Sequence, residues 1–463
     1  MRNVTLQSYG AARTVTGSRH LITVDGFSFL LDCGLFQGPR RESRERNRHV
    51  GVMPDAVVLS HAHIDHSGAL PTLARDGFRG PIHATSATRD LCRAMLADCA
   101  RINMADAKHL NKRREKGQRP IEPIYTEDDA DKAISLFQPH PYDKRFEVGP
   151  GIHATFRDAG HILGSAGVYV EIDDGPTIYF TGDLGRRTYP ILRDPEPLPD
   201  ADVILSECTY GEREHEPVDL AEDKLRDVLE RAIERRGKVF IPAFSVGRTQ
   251  NLIYALAQLR KRGAIPEMPV FVDSPLAEKA TEAFADHPEC YDEEIKEFLA
   301  DGGKPFYPRW VMYTPDRDAS IRLNSLDGPF VVLAGSGMCE GGRITHHLKH
   351  GLSDPNNTVL FVGWCAPNTL GRRIMDGDPE VRVLGRKVKV KAEIRTLRAY
   401  SAHADRTGLL DFLAPARERK TPIFLVHGDE DTALAFKDTL HEHGHGEVIV
   451  PEVYARYRLE PRA

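Results

Sequence analysis

The sequence predicts a layered α/β protein with a second α/β unit inserted into it, and three observations carry that prediction. Short apolar runs of strand length alternate with helical stretches. Each run ends in a side chain that binds metals or protons: FSFLL in Asp32, AVVLS in His61, TIYFTG in Asp183, VILS in Glu207 and PIFLV in His427. Those end residues flank a central stretch that has strand–helix units of its own. In α/β folds reactive groups collect beyond the ends of strands, so the five residues are expected along one rim.

Between these runs lie helical stretches such as 86–107 and 219–235. The central region, 209–385, repeats the strand–helix alternation. KVFIPAF precedes GRTQNLIYALAQL, PVFVDSP precedes LAEKATEAF, and PFVVLAGSG precedes GGRITHHLKHGL. An insertion at 209–385, between a first part at 1–208 and a last part at 386–463, accounts for ligands on both sides of it. The segment 108–119 (KHLNKRREKGQR) is the strongest basic run and reads as an exposed helix end and loop.

At 463 residues the chain exceeds one ordinary core, and its 41% hydrophobic and 28% charged residues fit a folded, water-soluble protein. No apolar run is long enough to span a bilayer, and MRNVTLQSYGAAR lacks a secretory core, so no membrane partner and a cytoplasmic location are expected. Seven cysteines, odd in number and without a C-x-x-C pair, read as reduced thiols. The net charge of −6 excludes a broadly basic nucleic-acid-binding face. Any polyanion must be held by local basic clusters and bound cations.

His61, His63, Asp65 and His66 form an H-x-H-x-D-H box between an apolar strand and SGALPTLARDG. In extended chain His61 and His63 point the same way, and the following turn can aim Asp65 and His66 at a neighbouring position. Three imidazoles and a carboxylate this close suit zinc, with manganese as the alternative. More donors lie in DAGHILGS (His161), FTGD (Asp183) and LVHGD (His427). Counting gives His61, His63 and His161 for one ion, Asp65, His66 and His427 for a second, and Asp183 as the bridge. Two divalent ions carry about +4, of which the carboxylates and a hydroxide remove about three. Such a centre suits an anionic phosphodiester, and would also serve a thioester or a lactam.

These residues resemble the metallo-β-lactamase superfamily: the box, Asp32 in LLDCG before it, His161 and Asp183 after it. Glu207 in SECTYG, His403 in YSAHAD and His427 in VHGD resemble the further motifs of its β-CASP branch, which includes RNase J and the nuclease of eukaryotic messenger-RNA 3′-end processing. The match runs from GAARTVTGSRHL to VHGDED. The resemblance implies an αββα metallo-β-lactamase sandwich with an inserted Rossmann-like β-CASP domain. It implies a zinc held by His61, His63, His161 and Asp183, and another held by Asp65, His66, Asp183 and His427. Asp32 would orient the ligands, and His403, oriented by Glu207, would stabilise the scissile phosphate or protonate the leaving 3′ oxygen. Histidine at 427 is the residue of the branch's RNA-directed members. No extra domain of the RNase J or archaeal kind is evident, which points to a minimal form.

The turn GSGMCEGGR (335–343) follows an apolar strand and opens a helix, so Ser336, Gly337 and Met338 are candidate phosphate contacts through backbone N–H groups. β-CASP relatives resemble it in placing a GSGM turn near the RNA backbone. It is not a dinucleotide fingerprint, since the third glycine is due at Glu340. Arg248, and the patch of Arg343, His346, His347, Lys349 and His350, are further candidates. The expected function is a zinc-dependent ribonuclease that cuts single-stranded RNA internally, with 5′–3′ trimming as an accompanying mode, in RNA processing or decay. A homodimer is compatible with this. The competing readings are a hydrolase of small esters, thioesters or lactams and a non-catalytic RNA scaffold. The inserted domain and His403 weigh against the first, and the complete ligand set against the second.

Overall fold

A computed structural model of the chain describes residues 1–112, 114, 119–216, 218–397, 399 and 401–462. It divides into two compact units. The first comprises Met1–Tyr189, Arg193–Glu214 and His403–Ala463, and the second Pro190–Leu192 and His215–Ala402. Much of the basic run at 108–119, namely residues 113 and 115–118, lies outside the described residues.

The first unit contains two seven-stranded sheets. One runs in the order Arg456–Leu459, Val4–Gly10, Arg19–Val24, Phe27–Leu31, Ala56–Val58, Ile82–Ala84 and Phe137–Pro139. The other runs Val448–Ile449, Ile423–Val426, Val203–Glu207, Ile178–Phe180, Ala166–Ile172, Ile152–Asp158 and Phe146–Gly149. Alternation of side chains along the strands makes the sandwich. In Ile152–Asp158 every second residue is buried, and Phe156 shares one core with Val168, Phe180 and Leu205 of its own sheet and with Leu6, Ile22, Phe29 and Val58 of the facing one. Burying one such side chain stabilises by about 1.5–3 kcal/mol. Helices Arg406–Arg419 and Glu430–Glu442 cover the back of the second sheet, through Phe412, Leu413, Phe436 and Leu440 against Tyr179, Ile204 and Leu425. Helices Leu70–Arg75, Ser86–Lys112 and Glu127–Ser135 pack together, the second of them against Phe137–Pro139. The architecture is the αββα sandwich.

Register brings the strand ends together. Leu31 lies opposite Val58 in one parallel pair, so Asp32 and the 59–61 segment leave that sheet side by side. In the other sheet Phe180 lies opposite Leu205, and Glu207 opposite Val426, so Asp183, Glu207 and His427 leave together.

The second unit is built on an all-parallel six-stranded sheet and also carries an antiparallel hairpin, Glu380–Val383 with Arg386–Lys389. The order of the six-stranded sheet is Val311–Tyr313, Val270–Val272, Phe330–Ala334, Lys238–Pro242, Thr358–Phe361 and Glu393–Thr396. Separate apolar cores cover its two faces, one around Leu252, Leu256, Val331 and Leu333, the other around Phe240, Val332, Leu348 and Phe361. Parallel strands buried on both faces explain runs such as FVVLA, in which every residue is buried. Because Glu393–Thr396 is hydrogen-bonded to Thr358–Phe361, the compact unit extends past residue 385. No helix among the described residues is long and apolar enough to cross a membrane.

Candidate metal centre

The box begins where the Ala56–Val58 strand ends, and its second half is a single turn of helix, Ile64–Ser67, with His63 as its N-cap. That turn swings Asp65 and His66 away from the direction of His61 and His63. It rests on the loop after Asp32. Cys33 N–H donates to the His66 carbonyl at 2.7 Å, and Ser18 N–H to the Asp65 carbonyl at 2.8 Å. Gly34 permits the approach, since a Cβ there would lie 1.6 Å from the Asp65 carbonyl oxygen.

The donor atoms converge in two groups, His61, His63, His161 and Asp183 in one and Asp65, His66 and His427 in the other. In the first, His63 Nδ1 lies 3.2 Å from both His61 Nε2 and His161 Nε2, and Asp183 Oδ2 lies 3.4 Å from the same two nitrogens. Zinc–nitrogen bonds of about 2.0–2.1 Å in a tetrahedron set ligand atoms about 3.3 Å apart, so these edges fit the ion. In the second group His66 Nε2 lies 3.0 Å from His427 Nε2, and Asp65 Oδ2 lies 3.5 Å from that nitrogen. Asp183 Oδ1 turns to this side, 3.1 Å from His66 Nε2. That oxygen is buried, and the geometry gives it no hydrogen bond. A buried carboxylate oxygen left without a proton donor among imidazole nitrogens is what a bridging ligand requires.

Outer hydrogen bonds select which nitrogen each ring presents. Asp32, fully buried and at φ +62°, accepts from Ser60 N–H at 2.8 Å, from the Ser60 and Ser18 hydroxyls, and from His66 Nδ1 at 2.6 Å. The Ser60 hydroxyl also lies 3.0 Å from His61 Nδ1, and the Thr209 hydroxyl 2.9 Å from His427 Nδ1. Nε2 is thereby left facing inward in these three rings, whereas His63 presents Nδ1. His427 adopts φ +52°, a conformation costly for a non-glycine residue, and is held there by its N–H bond to the Ala11 carbonyl at 2.7 Å.

In the first group the electrostatics agree with ligation; in the second, burial would lower the His66 pKa, but the Asp183 and Asp32 carboxylates raise it well above the usual imidazole range. Burial, reinforced by neighbouring imidazoles, lowers the pKa of His61, of His63 to about 3, and of His161 well below the usual range, so these rings are neutral. Burial alone would raise Asp183, but His427, His66, His61 and His403 hold it well below the carboxylate range, and it is ionised. The thiols of Cys33 and Cys92 are pushed up to about 12 by burial and are not ligands or nucleophiles at neutral pH. None of the seven cysteines is in a disulfide.

Glu207 and His403 complete the rim. Glu207 is fully buried, accepts from Leu184 N–H at 2.6 Å, and lies 3.1 Å from His403 Nδ1. His403 Nε2 lies 3.9 Å from Asp183 Oδ2, and its ring sits beside those of His161 and Tyr210, at centroid distances of 4.4 and 5.7 Å. Burial would lower the His403 pKa, but the Glu207 and Asp183 carboxylates overcome it and raise it to about 9. Sequence reasoning missed Ser18, Ser60, Thr209 and Tyr210. The last two stand in the SECTYG motif beside Glu207, the only signal that could have found them.

In the second unit the 335–338 turn leaves the end of Phe330–Ala334. Among the described residues the N–H groups of Gly337 and Met338 have no hydrogen-bond acceptor. Gly342, at φ +70°, lets the helix start directly against the turn, since a Cβ there would lie 2.2 Å from the Gly335 oxygen. Ser336 Oγ accepts from Glu340 N–H at 3.1 Å. The two arginines are engaged elsewhere. Arg248 Nη1 donates to the Val362 carbonyl at 2.7 Å, and Arg343 Nη1 to Asp273 at 2.6 Å and to the Thr314 carbonyl at 3.1 Å. His347 is fully buried, its Nε2 2.6 Å from Asp273. Two aromatic residues that the sequence did not single out stand on neighbouring strand ends, Phe244 and Trp364, each about half exposed. Phe244 borders Gly337.

Candidate metal-holding groups of histidines and carboxylates at the rim of an αββα sandwich point to a metallo-hydrolase of the β-lactamase superfamily. Family models agree: a β-lactamase superfamily domain matches residues 28–236, a Beta-Casp domain 249–374, and a Zn-dependent metallo-hydrolase RNA specificity domain 387–451. Ribonuclease TTHA0252 of Thermus thermophilus is 38% identical over 94% of this chain and 96% of its own. Transcription termination factor FttA is 30% identical in Methanosarcina mazei, over 99% of this chain and 70% of its own, and 30% in Methanocaldococcus jannaschii, over 96% and 69%. A solved structure from Enterococcus faecalis V583, a protein of unknown function, shares the fold with a TM-score of 0.55 at 14% identity, covering 99% of this chain and all of that one. The chain belongs to the β-CASP ribonuclease family.

Proposed function

We propose that this chain is a two-zinc endoribonuclease that cuts single-stranded RNA. Membership of the family makes it a metal-dependent RNA hydrolase. The observation that carries the finer reading is Asp183, whose two oxygens turn to different histidine groups. His61, His63, His161 and Asp183 would hold one ion, and Asp65, His66, Asp183 and His427 the other. Bound zinc supplies an activated water and the positive charge that a phosphoryl transition state needs. The chain's residues do the rest. Asp32 fixes the His66 ring, and Glu207 fixes that of His403. Held by Glu207 at Nδ1, His403 turns Nε2 toward Asp183 and gives a proton to the leaving 3′ oxygen.

RNA as substrate is supported by the Thermus relative's name and by the RNA specificity model. In the second unit, the N–H groups of Gly337 and Met338 would receive a backbone phosphate, with Ser336 shaping the turn, and the rings of Phe244 and Trp364 offer stacking surfaces to unpaired bases. Arg248 and Arg343 support this site by anchoring its frame. Internal cleavage, with 5′–3′ trimming, in processing or decay is the biological setting; the archaeal relatives are named for transcription termination. The test compares labelled single-stranded RNA, DNA of the same sequence and a thioester at equal zinc loading, with products mapped on RNA of defined ends. Internal cuts confined to RNA are expected. Preference for the thioester, or products from the ends alone, contradicts the reading.

A further inference from the structure

The second unit carries a feature that the catalytic reading does not use. Lys349, His350, Arg386, Lys387, Lys389 and Lys391 surround one shallow depression of about 380 Å³, completed by Ser353 and Val388, with no carboxylate among its lining residues. Helix Gly342–Gly351 supplies the first two, at the end remote from the 335–338 turn and about 10–12 Å from it. The hairpin strand Arg386–Lys389 and the residues after it supply the rest. Among the described residues only Lys387 of these lysines and arginine has an ion-pair partner, Glu380 at 3.1 Å. The positive field is felt locally: His350 is held below the usual imidazole range by burial and then by Lys349, Arg386, His347 and Lys238.

Simpler accounts explain parts of this. Basic residues in a helix's last turn complement its dipole, and lysines on an exposed strand discourage edge pairing. Neither explains why cations from two elements converge on one concavity in a chain of net charge −6. Lys387 and Lys389 occupy alternate strand positions and so share a face, with Val388 buried between them. A row of lysines along a strand suits a run of phosphates better than one small anion. We infer that this depression is a second RNA-binding site, which grips the phosphodiester backbone of long substrates independently of base sequence. It shares no residue with the metal-ligand groups, and it rests on the reading of RNA as substrate.

The test uses the zinc-loaded full chain and its Lys389→Glu/Lys391→Glu variant, assayed on a long unstructured RNA and on an oligonucleotide of a few residues, across a salt series. The variant is expected to raise KM for the long RNA about tenfold at low salt, and to make the salt dependence of kcat/KM shallower by about 0.7 for each phosphate that it no longer neutralises. The short substrate should be cleaved as by the parent, and Lys389→Arg/Lys391→Arg should restore the long one. Wild-type KM and salt slope on the long RNA overturn the inference. So does an equal loss on both substrates in a variant that melts at the parental temperature. Displacement of long RNA by polyglutamate as effectively as by a second RNA also overturns it, because the patch would then serve acidic polypeptides. A parent that cleaves neither RNA removes the proposed function itself. A parent that cleaves both, with an inert variant, removes only this site.

Discussion

His66 puts its two ring nitrogens to different uses, Nδ1 against Asp32 at 2.6 Å and Nε2 toward His427 and Asp183. The Asp32 carboxylate therefore acts through the ring it orients. Asp32→Asn should weaken metal binding about 10–100-fold, measured by competition with a chelator, while leaving the fold intact. A variant that binds zinc as tightly as the parent would remove Asp32 from the account. His403 should behave in the opposite way. His403→Ala is expected to lower kcat on RNA about 10²–10⁴-fold with zinc content unchanged, and Glu207→Gln to lower it less. Equal loss of turnover and of metal would make His403 a ligand instead. The box residues were legible in the sequence because so many donors at such spacing have few other uses. Glu207 and His403 were not legible from spacing, since 196 residues separate them and only the family motifs linked them.

At the scale of elements, the buried cluster around Asp273 shows what sequence could not reveal. Arg343 and His347 read as a surface basic patch, yet the fold turns both onto a carboxylate 70 and 74 residues earlier, at 2.6 Å each. Helix periodicity places His347 inward, but nothing local announces its partner. Ser320 adds a third hydrogen bond at 2.6 Å. Burial would raise the Asp273 pKa, but His347, Ser320 and Arg343 lower it below the usual value. Its contribution to stability is therefore complete above the unfolded carboxylate value of about 3.9 and is lost as pH falls through the lower folded value. Asp273→Asn should destabilise the second unit by about 3–5 kcal/mol at neutral pH, since it strands the Arg343 guanidinium and leaves the buried His347 ring short of its carboxylate partner. Melting curves should show the parent losing its advantage over the variant as pH drops below about 4. A difference that persists undiminished at low pH would contradict the assignment.

At the scale of the whole molecule, the layered fold was legible because its strands end abruptly in reactive side chains, and parallel register carries those ends to a common rim. The extent of the inserted unit was harder to read. Glu393–Thr396 alternates weakly and is recognisable as a strand only through its hydrogen bonds to Thr358–Phe361. The net negative charge, set against a local basic depression, fits a protein that meets a polyanion at discrete points rather than along a broad face. Everything in the catalytic account passes through one carboxylate shared by two ligand groups. The most direct test is therefore the zinc-to-chain ratio, by elemental analysis, of the purified parent and of Asp183→Ala. The account predicts two ions per parent chain, and a variant that loses both together with RNA cleavage. A parent holding a single ion, or a variant that keeps two and still cuts RNA, would contradict it.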